Sequence, residues 1–155
     1  MIKSDIIIIG AGPAGLFAVF EAGLLKLKCH IIDSLPIPGG QCAEIYPKKP
    51  IYDIPSQPEI LAGDLVSKLM EQIKPFSPGF TLGEMAQTID KNSNGEFIIT
   101  TDKGTQHQAP IVAIGGINSN NYKKLLLNKA NFLAISGYIW NNKKLKPKEA
   151  LKKLK

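Results

Sequence analysis

The stretch Asp5-Ile-Ile-Ile-Ile-Gly10-Ala-Gly12-Pro-Ala-Gly15 constrains the fold more than any other part of the chain. An apolar strand, Lys3 to Ile9, runs straight into three glycines, after which Leu16, Phe17, Val19, Phe20, Leu24 and Leu25 recur at helical spacing. A second apolar stretch, Lys28-Cys-His-Ile-Ile-Asp33, follows a helix long enough for a right-handed crossover and reads as a parallel strand. The first 33 residues are therefore expected to form one βαβ unit. Gly10 permits the tight turn, Gly12 lets the backbone approach a pyrophosphate without a Cβ in the way, and Gly15 lets helix and strand pack closely. Ala14 sits in the first turn of the helix, whose free N–H groups and dipole favour an anion. Asp33 ends the second strand 18 residues after Gly15. A carboxylate there accepts hydrogen bonds from both ribose hydroxyls and repels a 2′-phosphate, so the expected ligand is an ADP-containing dinucleotide, NAD or FAD. The competing reading is a Gly-rich turn in an unrelated α/β sheet.

Beyond the βαβ unit, residues 34–58 carry Pro36, Pro38, Gly39, Gly40, Pro47, Pro50, Pro55 and Pro58, which forbids a long helix or a central strand. A loop this long in a compact domain is expected to be tied down by a ligand. Over Ile60 to Ile73, Leu61, Leu65, Leu69 and Ile73 step by four and predict an amphipathic helix ending before Pro75. From Phe80 the period shifts toward two. Phe80-Thr-Leu82, Ala86 to Ile89 and Phe97 to Thr101, with turns at Asn92–Gly95 and Asp102–Gly104, read as a small antiparallel meander. It leads into Ile111-Val-Ala-Ile-Gly-Gly116, a buried-looking strand. Residues 1–116 are taken as one domain, and 117–155 as a divergent Lys- and Asn-rich tail with Leu145, Leu151 and Leu154 on a short helix.

Several function classes are disfavoured. The net charge of +6 resides in the tail: residues 1–122 hold nine lysines against twelve acidic residues, and residues 123–155 hold ten lysines against Glu149 alone. With no arginine anywhere, nucleic-acid binding is not expected. No apolar run approaches the roughly 18 residues of a membrane helix, and the start of the chain lacks the pattern of a secretory signal, so a cytoplasmic protein is expected. Cys29 and Cys42 form no Cys-x-x-Cys pair and read as reduced thiols, with no metal site. His30 reads as a core residue and His107 as an exposed one. No acid–base catalytic pair is visible.

After Asp33 comes Pro38-Gly-Gly-Gln41-Cys-Ala-Glu-Ile-Tyr46-Pro-Lys-Lys-Pro-Ile-Tyr-Asp-Ile-Pro55. Together with Gly10-Ala-Gly-Pro-Ala-Gly15, this segment resembles the thioredoxin-reductase-like ferredoxin-NADP reductases of bacteria, two-domain flavoproteins that pass electrons between NADPH and ferredoxin through FAD. The resemblance runs from about Ser4 to about Gly116. It implies a glutathione-reductase-like, FAD-binding Rossmann-type α/β domain with a parallel sheet, a helix layer and a three-stranded antiparallel meander. It also implies that Gly10, Gly12, Ala14 and Gly15 serve the pyrophosphate and Asp33 the ribose. Gly40, Gln41 and Tyr46 would meet the ribityl and flavin portion, and the Ala86 backbone the adenine. On its chemistry alone Tyr46, like Tyr52, reads as a loop anchor rather than a ligand contact.

The chain departs from that family after Gly116. No second Gly-rich turn follows, so the nicotinamide domain, and with it the NADP(H) site, is expected to be missing. Three readings stay open: the flavin-binding part of an oxidoreductase completed by another polypeptide, a small non-enzymatic NAD or FAD module, or a truncated remnant. The Lys-rich tail reads first as a solvated, partly disordered end and second as a surface for an acidic partner such as ferredoxin; a complementing chain carrying the NADPH domain is the other expected partner. An unfinished parallel sheet leaves an open edge that invites association, a homodimer included.

Overall fold

The computed structural model describes residues 1–115 together with Lys146 and Glu149. The chain divides into two compact units, 1–113 and 114–155. Gly116 and the remainder of the Lys- and Asn-rich tail, with its expected short helix, lie outside the described residues.

In chain order the elements are β1 (Ile2–Lys3), β2 (Ile6–Ile9), α1 (Pro13–Leu24), β3 (Cys29–Asp33), α2 (Gln41–Glu44), β4 (Pro50–Ile51), β5 (Ile60–Leu61) and α3 (Ala62–Ile73). A 3-10 turn at Lys74–Phe76 follows, then β6 (Gly79–Leu82), β7 (Ala86–Lys91), β8 (Phe97–Thr101), β9 (Gln106–Ala109) and β10 (Ile111–Ile114). One sheet has the order β10-β2-β3-β6, in which β2 and β3 run parallel with Ile6 opposite Cys29, and β3 and β6 run parallel with His30 opposite Gly79. The other has the order β1-β9-β8-β7, an antiparallel three-stranded meander with β1 added in parallel.

Strand periodicity sorts the core into two layers. Ile8, Cys29 and Ile31 point to one face and pack with Leu16, Val19 and Ala22 of α1 and with Leu65, Val66, Leu69 and Ile73 of α3. Ile7 and Ile32 point to the other and pack with Ile99 and Ala109 of the meander. Ile7, Leu16, Ile31, Ile32 and Ile99 are wholly buried, each contributing on the order of 1.5–3 kcal/mol of transfer free energy. Helix α1 begins without a side-chain cap but with Pro at its first position, where a missing N–H costs nothing. Helix α3 places Asp64 in its first turn, favourable toward the dipole.

Four expectations need correction. Lys3 to Ile9 is two strands, because the chain changes sheet at Ser4-Asp5: the Ser4 N–H donates to the Gln108 carbonyl, whereas the Asp5 N–H donates to that of Lys28. The Asp5 carboxylate secures the crossing by accepting from the Lys28 N–H at 2.7 Å. Phe80 to Leu82 belongs to the parallel sheet beside β3; alternation over three residues specifies a strand without specifying its sheet. Leu61 lies in β5 at the start of α3 and is 40% exposed, so the buried stripe is Ala62, Leu65, Val66, Leu69 and Ile73. Strand β10 ends the sheet order and is only half-buried, with Ile111 exposed. The Pro-rich loop carries two short elements, α2 and β4, neither longer than four residues.

Candidate functional site

The Gly-rich turn joins β2 to α1. Gly10 has φ +112°, a conformation that L side chains rarely adopt, and its N–H donates to the Ile32 carbonyl at 2.8 Å. A Cβ on Gly15 would lie 2.0 Å from the Gly10 carbonyl oxygen, so close packing of helix on turn requires glycine there. A Cβ on Gly12, the N-cap residue of α1, would meet nothing within 4 Å. The backbone at Gly12 is thus open, and neither a side-chain cap nor an acidic residue competes for the first-turn N–H groups. Ala14 lies exposed in that turn.

Asp33 is held against the same turn. One carboxylate oxygen accepts from the Ala11 N–H at 2.5 Å and the other from the Leu35 N–H at 2.8 Å. An ionised carboxylate has about four acceptor positions, so two remain for hydroxyl donors. Gly39 arrives from the Pro-rich loop and donates its N–H to the Ala11 carbonyl at 2.8 Å. Gly40 has φ +56°, and a Cβ there would stand 3.3 Å from the Gly12 Cα. Two segments nearly thirty residues apart therefore form one surface. Gln41 begins α2 directly after this contact, and the Tyr46 hydroxyl lies 3.5 Å from Gln41 Oε1. Tyr46 is half-buried with Lys49 Nζ 5.2 Å from its ring, and burial with Cys42 alongside pushes its hydroxyl pKa up. Tyr52, the other aromatic of this loop, is 64% exposed.

Ala86 approaches from the meander. The corner before it stays with the end of β3: the Gly83 N–H donates to the Leu35 carbonyl at 2.9 Å and the Glu84 N–H to that of Asp33 at 3.2 Å. Gly10 and Gly15, and Gly12 and Gly40, thus meet at one turn that Asp33 joins through Ala11, with Gln41 and Tyr46 attached through α2 and Ala86 through residues 83–84. Three residues that fasten that corner carried no signal in the sequence: the Thr101 hydroxyl donates to Glu84 Oε2 at 2.6 Å, and Asp102 Oδ1 accepts from the Met85 N–H at 2.9 Å; the Asp102-Lys-Gly104 turn was legible, its carboxylate's distant target was not. An open concavity of about 550 Å³ along α3, edged by Glu59, Asp64, Lys68 and Glu71, contains none of these residues.

The histidines lie between the two sheets. His30 is buried as expected, with Nε2 at 2.8 Å from Thr81 Oγ1. His107, expected to be exposed, is fully buried instead, because β1 and β8 flank β9 and its ring turns inward to within 4.7 Å of the His30 ring centroid. Neither His107 ring nitrogen has a hydrogen-bond partner among the described residues. Burial, then the neighbouring His107, pushes the His30 pKa down to about 4. Burial also lowers that of His107, against the opposing pull of the Glu84 carboxylate. Both rings are neutral at pH 7.

A Gly-rich βαβ turn in a parallel sheet, helices on one face and an antiparallel meander on the other define a glutathione-reductase-like, FAD-binding Rossmann-type domain. Residues 4–146 match the pyridine nucleotide-disulphide oxidoreductase family, and the chain belongs to it. It is 73% identical over 125 residues to ferredoxin–NADP reductase 1 of Christiangramia forsetii, covering 80% of this chain and 35% of that protein. To the ferredoxin–NADP reductase of Flavobacterium johnsoniae it is 60% identical over 155 residues, covering 97% of this chain and 44% of the relative. The chain thus spans less than half the length of these curated relatives. Among solved structures, thioredoxin reductase from Streptococcus pyogenes superposes with a TM-score of 0.62 at 25% identity, over 77% of this chain and 40% of the other. No helix among the described residues is long and apolar enough to cross a membrane.

Proposed function

We propose that the chain is the FAD-binding part of a ferredoxin–NADP reductase-type oxidoreductase, its nicotinamide site lying on polypeptide beyond residues 1–116. The observation that carries this reading is the contact of Gly39 and Gly40 with Ala11 and Gly12, which joins a pyrophosphate turn to a loop bearing Gln41 and Tyr46. FAD needs such a composite surface, since its diphosphate and its isoalloxazine ring are recognised by different chemistry. The residues present fit it. The open backbone at Gly12 and the free N–H groups of α1 suit the diphosphate. Asp33 retains acceptor positions for the ribose, Gln41 offers a donor and an acceptor, and Tyr46 offers a ring face and a hydroxyl. Bound FAD supplies the exchange between hydride and single-electron transfer. NADPH as reductant, ferredoxin as acceptor and a cytoplasmic setting are carried by the likeness to the reductases.

The test is the visible spectrum of the chain purified from a flavin-sufficient host, followed by anaerobic NADPH. Flavin bands near one per chain without bleaching are expected. Bleaching would demonstrate a nicotinamide site within the chain, and a colourless protein that takes up no FAD would refute the flavin reading. The double substitution Gln41→Ala, Tyr46→Ala separates FAD from NAD: unchanged dinucleotide affinity would leave a simple NAD module.

A further inference from the structure

The segment that carries Tyr46 is clipped to the start of α3. The Lys49 N–H donates to the Tyr46 carbonyl at 3.0 Å, closing a turn with Pro47 and Lys48 at its tip. From α3, the Gly63 N–H donates to the Pro47 carbonyl at 2.9 Å and the Ala62 N–H to that of Lys49 at 3.0 Å. These two carbonyls satisfy first-turn N–H groups of a helix that has no side-chain cap. Strands β4 and β5 continue the clip, with Pro50 opposite Leu61 and Ile51 opposite Ile60. The Lys49 side chain therefore leaves a main chain that is tied at its own N–H, at its own carbonyl and at the residue that follows.

The Tyr46 side chain is held from two directions. Its hydroxyl lies 3.5 Å from Gln41 Oε1, with Cys42 alongside. Its ring has Lys49 Nζ 5.2 Å from the centroid, inside the roughly 6 Å reach of a cation–π contact. A flavin ring is neutral when oxidised and becomes an anion near neutral pH on gaining two electrons and one proton, so a cation nearby favours the reduced form. Resting on the flavin reading above, we propose that Lys49 is a positioning residue that sets the Tyr46 ring and brings one positive charge to the flavin-facing loop, stabilising reduced over oxidised cofactor. Its effect runs through Tyr46, and the clip to α3 is what keeps the charge in place.

The test loads the full chain and its Lys49→Met and Lys49→Arg variants with saturating FAD and measures the midpoint potential of the bound flavin against a reference dye. Lys49→Met keeps the reach of the side chain and removes its charge. It is expected to shift the potential to more negative values, equivalent to about fivefold greater loss of affinity for reduced than for oxidised FAD. Lys49→Arg keeps the charge and should hold the native potential. In a Tyr46→Leu background the shift caused by Lys49→Met should shrink, as two coupled sites require. A merely structural loosening of the turn weakens oxidised and reduced FAD by the same factor; the unshifted potential that results overturns the inference. So does an arginine variant shifted as far as the methionine one, or a shift that Tyr46→Leu leaves undiminished. A native chain that takes up no FAD refutes the flavin reading itself, and the role of Lys49 with it. Thermal unfolding identifies a variant that does not fold; Lys49→Gln then replaces Lys49→Met, with the same potential as readout.

Discussion

The two faces of the parallel sheet are built on different terms. Toward the helices, Ile8 and Ile31 meet Leu16, Val19, Leu65, Val66 and Ile73, a layer with no buried polar side chain among the described residues. Toward the meander, Ile7 and Ile32 share their layer with His30, His107 and Thr101, all buried. Volume alone sets the stability of the first face. On the second, stability also depends on protonation and on which polar atoms find partners.

The largest effect that tests this contrast falls on the helix side. Gly15→Ala puts a methyl 2.0 Å from the Gly10 carbonyl oxygen, backbone that cannot yield, and should cost more than about 4 kcal/mol, read as loss of cooperative thermal unfolding. Leu16→Ala, at a wholly buried site, should cost about 3–5 kcal/mol by denaturant titration, with the same cost at pH 7 and pH 5. A pH-dependent cost would mean that the two faces are not independent.

Acid probes the other face. The folded His30 pKa of about 4 lies below the unfolded value of 6.5, so between these values the unfolded chain binds more protons. Stability should therefore be full above pH 6.5 and fall as the pH drops toward 4, by up to about 1.4 kcal/mol per unit for this residue. His107→Phe should flatten that acid limb. At pH 7 it should be neutral or stabilising by about 1 kcal/mol, because it removes two ring nitrogens that have no partner among the described residues. Thr81→Val, which removes the hydroxyl beside His30 Nε2, should cost about 1 kcal/mol.

What could be read from the sequence follows the same division. Helical spacing and the glycine pattern depend on neighbours within a few residues, and α1, β3 and the composition of the turn were legible from them. Asp33 was legible because its place at a strand end is local. The inward ring of His107 was not, since alternation in Gln106–Ala109 does not say which side a neighbouring sheet will cover. The seam at Ser4-Asp5 was equally hidden: two acceptors in different sheets, the Gln108 and Lys28 carbonyls, claim successive N–H groups. In the site, Gly39 and Gly40 were marked by residue type, but their partners Ala11 and Gly12 lie across the chain. Glu84, Thr101 and Asp102 carried no signal, because a capping carboxylate looks like any turn residue until its partner arrives.

The seam at Ser4-Asp5 also sets a timetable for the ribosome. Strand β1 pairs with β9, Ile2 facing His107 across 105 residues of chain, and β2 takes β10 as its second neighbour. At about 5–20 residues per second, the beginning of the chain waits roughly 5–20 s for its partners to be synthesised. Through that interval the Ile6–Ile9 strand has β3 on one edge and nothing on the other, a four-isoleucine ribbon in need of shielding. The nascent chain is therefore a candidate client for chaperones until about residue 114 has emerged from the exit tunnel.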